Sequence, residues 1–83
     1  MNIGLLWYDG DPKAGLEEKV RRAAGRYRQK FGRAATVCFL NPRALADRPA
    51  GAALEVLVDN APIKIVAERR ILPDHFWVGI SEE

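Results

Sequence analysis

Cysteine, histidine and hydroxyl side chains are scarce in this chain of 83 residues. Cys38 is the single cysteine, His75 is the single histidine, and Thr36 and Ser81 are the only aliphatic hydroxyls. One cysteine excludes an internal disulfide and a metal site built from several thiolates. Neither hydroxyl lies in the G-x-S-x-G context of a hydrolase nucleophile. The sequence therefore favours a non-catalytic protein, and we expect no cofactor.

A long apolar run is also lacking. No stretch approaches the roughly 18–20 apolar residues that span a bilayer, and Met1 to Trp7 carry neither the basic leader nor the cleavage site of a secretion signal. We therefore expect a cytoplasmic protein without a membrane partner. The content of 48% hydrophobic and 29% charged residues is ordinary for a folded protein and predicts a single domain over 1–83. The excess of Arg over Lys is typical of a GC-rich bacterial genome.

The clearest periodic pattern is that of an amphipathic helix over residues 12–31. One face of this helix is apolar and consists of Leu16, Val20, Ala23, Ala24, Tyr27 and Phe31. Asp11 is predicted to cap the helix with Pro12 at its first position. Gly15 weakens that opening turn, so a start at Leu16 is the alternative. Gly32 is predicted to end the helix in a left-handed conformation.

Five segments have the composition of strands. They are residues 2–8, 36–40, 54–58, 63–66 and 76–80, with a helical turn at 42–46 and a loop at 47–53. The order β-α-β-β-β predicts an α+β fold, a mixed sheet of about five strands with the helix across one face. The first two strands should be parallel and joined by a right-handed crossover, and the later strands should extend the sheet. Residues 59–62 read as a hairpin connection, in which Pro62 argues against a tight two-residue turn.

One helix leaves the second face of the sheet without a cover. The apolar residues assigned to that face are Val37, Phe39, Leu57, Val66, Phe76 and Val78. A dimer, or the segment 41–53 folded over the sheet, would cover them. Trp7, Tyr8 and Trp77 are interpreted as core or interface aromatics. The leading hypothesis is a non-catalytic interaction module that self-associates into a homo-oligomer.

Positive charge is concentrated in the helix. Residues 13–33 hold eight basic and two acidic residues, a charge of +6, which leaves −4 for the rest of a chain whose net charge is +2. Four of the basic residues fall on one flank of the helix, namely Lys19, Arg22, Arg26 and Lys30. One interpretation is a ridge that binds nucleic acid phosphates. The favoured interpretation is a solvated face whose cations meet acidic residues of the sheet or of an interface.

Three other residues are candidates for a site. Asp9 and Asp11 follow the first strand, where ligand sites of α/β sheets concentrate, and their oxygens suit Mg²⁺. The favoured interpretation of this pair is a turn and a helix cap. His75 lies between Asp74 and Phe76, and one hypothesis is a general base that a carboxylate orients. A thiol–imidazole pair with Cys38 is a further alternative. Because Cys38 is in the middle of an apolar strand, we expect an inert buried thiol.

Two resemblances concern these same segments. WYDGDPKAGLEEKVRRAAGRYRQKFGR, TVCFLNP and the closing LPDHFWVG resemble small uncharacterised bacterial and phage proteins, which implies a fold and no chemistry. The opening strand that ends in Tyr-Asp, followed by a basic helix, is similar to the small CRISPR-associated ferredoxin-like nuclease, whose aspartate would align with Asp9. That resemblance implies a metal-dependent nuclease. A second long helix and the second-strand motif of that family are missing here, so its activity is not carried over.

Overall fold

The computed structural model describes residues 4–46 and 55–81. It contains β1 (Gly4–Tyr8), α1 (Leu16–Phe31), β2 (Val37–Leu40), a 3₁₀ turn (Pro42–Leu45), β3 (Glu55–Val58), β4 (Ala61–Ala67) and β5 (His75–Gly79). The predicted α+β class, with one helix and a five-stranded mixed sheet, is confirmed. The loop predicted at 47–53 and the strand residues predicted at 2, 3 and 54 lie outside the described residues.

The strands are arranged in the order β1-β5-β2-β4-β3. β5 is antiparallel to both β1 and β2, so β1 and β2 are parallel as predicted but are separated by β5. β2 and β4 are parallel neighbours, and β3 forms an antiparallel hairpin with β4 at the far edge. Of the later strands, β3 and β4 extend the sheet beyond β2, whereas β5 lies between β1 and β2. Insertion between β1 and β2 gives β5 two antiparallel partners, whereas an edge position would give it one.

The helix begins at Leu16 and not at residue 12. Asp11 caps a turn that precedes the helix, since its Oδ1 accepts the N–H of Lys13 at 2.9 Å. Gly15 is the N-cap residue and offers no side-chain cap. Glycine loses more backbone freedom than other residues on entering a helix, which explains the later start. At the other end, Gly32 adopts φ 71° and closes the helix as predicted.

The hairpin of β3 and β4 has a tight turn of two residues. The expectation that Pro62 would prevent such a turn is wrong. Asp59 and Asn60 both have positive φ, 53° and 66°, as the mirror-image turns of tight hairpins require. Lys64 donates its backbone N–H to Thr36 O at 3.0 Å, so the N–H groups of alternate β4 residues point toward β2. Pro62 lies two residues before Lys64, and the β2 pairing starts only at Lys64. The missing N–H of proline therefore costs no bond within the sheet.

The core lies between α1 and one face of the sheet. The helix contributes its predicted stripe, in which Val20, Ala23, Ala24 and Tyr27 are buried. The sheet contributes Cys38, Leu40, Val56, Ile63, Ile65, Phe76 and Val78. Two alanines in the middle of the stripe let the helix backbone approach the strands closely. Among the described residues, no helix is long and apolar enough to cross a membrane.

The buried thiol of Cys38 gives a test of this packing. Its side chain is 0% exposed, and desolvation raises its pKa to about 12. A disulfide reagent such as DTNB attacks the thiolate, so we expect native protein at pH 8 to react at least about 100-fold more slowly than protein unfolded in guanidinium. Rapid labelling under native conditions would contradict the placement of Cys38 in the core.

Candidate interaction surface

The face of the sheet opposite α1 carries a second apolar surface. Side chains alternate between the two faces of a strand. The strand residues whose immediate neighbours point into the core therefore lie on this face, and the register aligns them across the sheet. We term this surface the open face, and its apolar residues are Leu6, Tyr8, Val37, Phe39, Leu57, Val66 and Trp77. Leu6 is 57% exposed, Leu57 is 61% exposed and Tyr8 is 64% exposed. Large apolar side chains with this exposure are candidates for a contact surface.

The predicted set for this face is partly corrected. Four of its members are on the open face, namely Val37, Phe39, Leu57 and Val66. The assignment is wrong for Phe76 and Val78, which pack in the core beneath α1 and are 2% and 0% exposed. Since neighbours on β5 alternate between faces, Trp77 takes the open side in their place.

A row of apolar side chains crosses the centre of the open face. Leu6 on β1 and Phe39 on β2 both lie opposite Trp77, and Val66 on β4 lies opposite Phe39. The rings of Phe39 and Trp77 meet edge to face with their centroids 5.7 Å apart. The indole of Trp77 lies over Gly4, where any Cβ would overlap the ring. Glycine at this position therefore leaves the space that the indole occupies.

Charged residues at the margin of the open face balance one another. Arg70 donates from Nε to Glu68 Oε2 at 3.2 Å and from Nη2 to Glu68 Oε1 at 2.9 Å. These bonds from Arg70 lower the pKa of Glu68 to about 2. On the other side of the face, Glu55 and Lys64 lie opposite each other on β3 and β4. Together, the two acids and two bases of these pairs carry no net charge.

The predicted acid pair, Asp9 and Asp11, contacts the helix through Arg22. The Arg22 guanidinium donates from Nη1 to Asp9 Oδ2 and to Asp11 Oδ2, each at 3.2 Å. The carboxylates also accept backbone bonds, Asp9 from the N–H of Asp11 and Asp11 from that of Lys13. A metal cation would have to displace the guanidinium from this position. Within residues 4–46 and 55–81, no three His, Cys, Asp or Glu side chains cluster as a metal site.

Opposing effects determine the charge of this acid pair. Desolvation of Asp9, which is 8% exposed, acts to raise its pKa, but the hydrogen bond from Asp11 N–H and the Arg22 guanidinium outweigh it and lower the pKa. The nearby indole N–H of Trp7 also lowers the pKa of Asp9, although the two groups do not meet the geometry of a hydrogen bond. The pKa of Asp11 is lowered first by the Lys13 N–H and then by Arg22. Both carboxylates are therefore charged at neutral pH.

The four basic residues predicted as a ridge have different surroundings. Lys19 lies 4.0 Å from the Asp74 carboxylate, and Arg22 is held by the acid pair. Arg26 bonds a glutamine of α1, and Lys30 lies over an aromatic ring of the same helix. Within the described part of the chain, only Arg26 and Lys30 of the four lack an acidic partner. The interpretation of this flank as a solvated helix face includes such contacts with acidic residues.

His75 and Cys38 are on opposite sides of the sheet. His75 pairs with Tyr8 at the end of β5, where the two rings are 5.1 Å apart between centroids. Its Nδ1 lies 2.9 Å from Pro73 O, so Nδ1 carries the proton of the neutral ring. Cys38 packs in the core beneath α1. The sheet therefore separates the two side chains, and the alternative hypothesis of a thiol–imidazole pair is wrong.

Two features of these surfaces are not predicted from the sequence. Leu6 is missing from the predicted second face, although alternation along β1 places it with Tyr8 once that strand is oriented. The helical pattern places Arg22 on the ridge and does not connect it with the acid pair. The available signal was its place in the second turn of a helix that follows directly on the turn carrying both aspartates.

Comparison of the chain with known protein families, with curated proteins and with solved structures finds no match. The two resemblances drawn from sequence segments therefore gain no support, and the proposals below rest on the geometry alone.

Replacement of Arg22 by Gln should destabilise the fold, because it leaves the covered Asp9 carboxylate without its cation. We expect a lower urea midpoint at pH 7 than in the wild type, with Arg21→Gln as the control, a neighbouring arginine on the same helix. The pKa of Asp9 is lowered in the folded state, so its stabilising contribution exists above about pH 4 and disappears as the pH falls through the lowered value. The difference between the two proteins should therefore shrink below about pH 4. Equal midpoints for Arg22→Gln and Arg21→Gln at pH 7 would contradict this role.

Proposed function

We propose that the protein is a non-catalytic interaction module that self-associates through the open face of its sheet. The observation that carries this proposal is the apolar row of exposed Leu6 and half-buried Trp77 and Phe39 on the side that α1 leaves uncovered. Burial of such a row stabilises an association by about 25 cal/mol for each Å² of apolar area removed from water. A second copy of the chain is the occupant that the charges favour.

The charge distribution supports a second copy as the partner. Among the described residues, the pairs Glu68–Arg70 and Glu55–Lys64 at the margin of the open face each compensate their own charges, so they add no net repulsion between two such faces. The basic helix is on the opposite side of each sheet. Face-to-face packing therefore keeps the two helices, each in a segment of charge +6, at the outside of the assembly.

The shape of the face supports a two-fold arrangement. Phe39, Ile71 and Trp77 line a cleft of about 280 Å³ beside the Glu68–Arg70 pair. In an isologous dimer, an exposed side chain of one copy enters the cleft of the other, and the reverse contact is made at the same time. Two sheets packed in this way are about 10 Å apart, as in a β-sandwich.

The size of the face limits the affinity. Five strands at about 4.8 Å and five residues at about 3.3 Å give a face of roughly 24 Å by 16 Å, about 400 Å² in projection. Stable interfaces bury about 800 Å² on each partner. A dimer of this kind belongs at the weak end of the range, so we expect a dissociation constant in the micromolar range.

Self-association can be tested by sedimentation equilibrium over a concentration series. We expect the mass to rise from 9.3 kDa toward twice that value. Leu6→Lys places a charge at a position that is already 57% exposed, so the fold should persist while the dissociation constant rises at least about tenfold. Gln29→Lys adds the same charge on the exposed side of α1 and is the control. A mass of 9.3 kDa at several hundred micromolar, or an equal effect of both variants, would contradict the proposal.

Nucleic acid binding by the helix flank is the alternative function, and a metal-dependent nuclease is the third. Arg26 and Lys30 are the observation in favour of nucleic acid binding, since neither has an acidic partner among the described residues. Two free cations correspond to a log–log salt slope of about −2 on duplex DNA, compared with about −3 to −4 for all four residues. The nuclease needs a cation at Asp9, where the Arg22 guanidinium lies.

We expect no binding of labelled duplex or single-stranded oligonucleotides at about 150 mM salt, measured by fluorescence anisotropy, because a slope this shallow reflects few phosphate contacts. The double variant Arg26→Gln/Lys30→Gln leaves the acid pair and Arg22 in place and is the matched comparison. Micromolar binding at that salt concentration that the double variant abolishes would favour the alternative over the interaction module.

A further inference from the structure

A cleft of about 450 Å³ opens at the end of the sheet where β1 and β2 finish. The carboxyl ends of parallel strands are where open α/β sheets place their ligands. The volume lies within the range of about 300–1,000 Å³ typical of small-molecule sites. This cleft lies beside the start of α1, and His75 is the lining residue that belongs to the sheet face opposite the helix.

Two cations from different elements line this cleft, Lys19 of α1 and Arg43 of the 3₁₀ turn. The side chain of Lys19 is only 15% exposed, and its one ion pair within the described ranges is to Asp74. At 4.0 Å, this contact is longer than a hydrogen bond. An ammonium group with so distant a partner retains its capacity to donate hydrogen bonds to an anion.

The wall that carries Arg43 is held in place by Asn41. The Asn41 Oδ1 accepts the N–H of Arg43 at 2.9 Å, and its Nδ2 donates to Ile71 O at 2.9 Å. These two bonds attach the 3₁₀ turn to the segment that leads into β5. Arg43 thus projects from a fixed piece of backbone, which reduces the entropy lost when its guanidinium binds a ligand.

The remaining lining combines one acid, one imidazole and apolar side chains. Asp74 is the only carboxylate among the lining residues, so the side-chain charge of the cleft is +1 with a neutral His75. His75 uses Nδ1 toward Pro73 O, which leaves Nε2 for another partner. Leu16 and Phe76 supply apolar wall. A single acid among two cations disfavours a metal ion and favours an anion.

We infer that this cleft binds a small organic molecule through one anionic oxygen group, a phosphate or a carboxylate, held between Lys19 and Arg43. The anion replaces Asp74 as the nearest partner of Lys19 and forms a charge-assisted pair with Arg43. The body of the ligand lies against Leu16 and Phe76. No covalent step is involved.

The test is a titration of the full chain with inorganic phosphate, and in parallel with acetate, followed by amide shifts in two-dimensional NMR. We expect saturable shifts at Lys19, Arg43 and their neighbours, with a dissociation constant on the order of 1–10 mM for the better probe. Saturation by phosphate alone assigns the phosphate class, and saturation by acetate alone assigns the carboxylate class. Arg43→Gln lies on an exposed turn, preserves the fold and should weaken binding about tenfold.

The control is Arg33→Gln, which removes one positive charge beyond the other end of α1. It should leave the affinity unchanged. Lys19→Gln should weaken binding as Arg43→Gln does. The inference is overturned if neither anion gives saturable shifts up to about 50 mM, since two charge-assisted contacts would then be missing. Shifts spread over the outer face of α1, or an equal loss in Arg33→Gln, would overturn it as well.

Discussion

A single helix can cover only one face of a five-stranded sheet, and most features of this molecule follow from that limit. The helix α1, Leu16–Phe31, is roughly 24 Å long and about 10 Å wide, whereas the sheet is also roughly 24 Å wide but has two faces. Its alanines pack closely on one face, and the apolar residues left over lie on the other. The open face thus follows from the presence of one α-helix for two sheet faces among the described residues.

The same two-layer arrangement distributes the charges. Acidic residues in turns at the ends of strands meet cations of α1, and these pairs are Asp9 and Asp11 with Arg22, Asp74 with Lys19, and Asp59 with Arg28. The Arg28–Asp59 pair, at 3.9 Å and with both side chains exposed, contributes little to stability. The Arg22 cluster differs because Asp9 is covered. The excess of positive charge in the helix segment is therefore partly neutralised once the chain folds.

Local signals in the sequence identify the elements, and the topology is where prediction fails. Helical periodicity locates α1, and Gly32 marks its end, because both depend on neighbouring residues. The position of β5 between β1 and β2 depends on pairing over long distances, and composition does not report it. The assignment of Phe76 and Val78 to the second face is wrong for a related reason, since a strand rich in apolar residues gives no clear alternation. Of the candidate sites, the aspartate turn is evident from the sequence, but its arginine partner comes from a different element.

The insertion of β5 has a consequence for the order of events in folding. β1 has β5 as its neighbour in the sheet, with Gly4 opposite Gly79, so the first described strand gains its ladder bonds only when the last one is present. During synthesis on a ribosome, β1, α1 and β2 emerge before β5, and their shared sheet has a missing strand at its centre. Closing such long loops is slow compared with helix formation. The nascent chain therefore exposes two unpaired, apolar strand edges until residue 79 has emerged, which is the interval in which it most needs protection from aggregation.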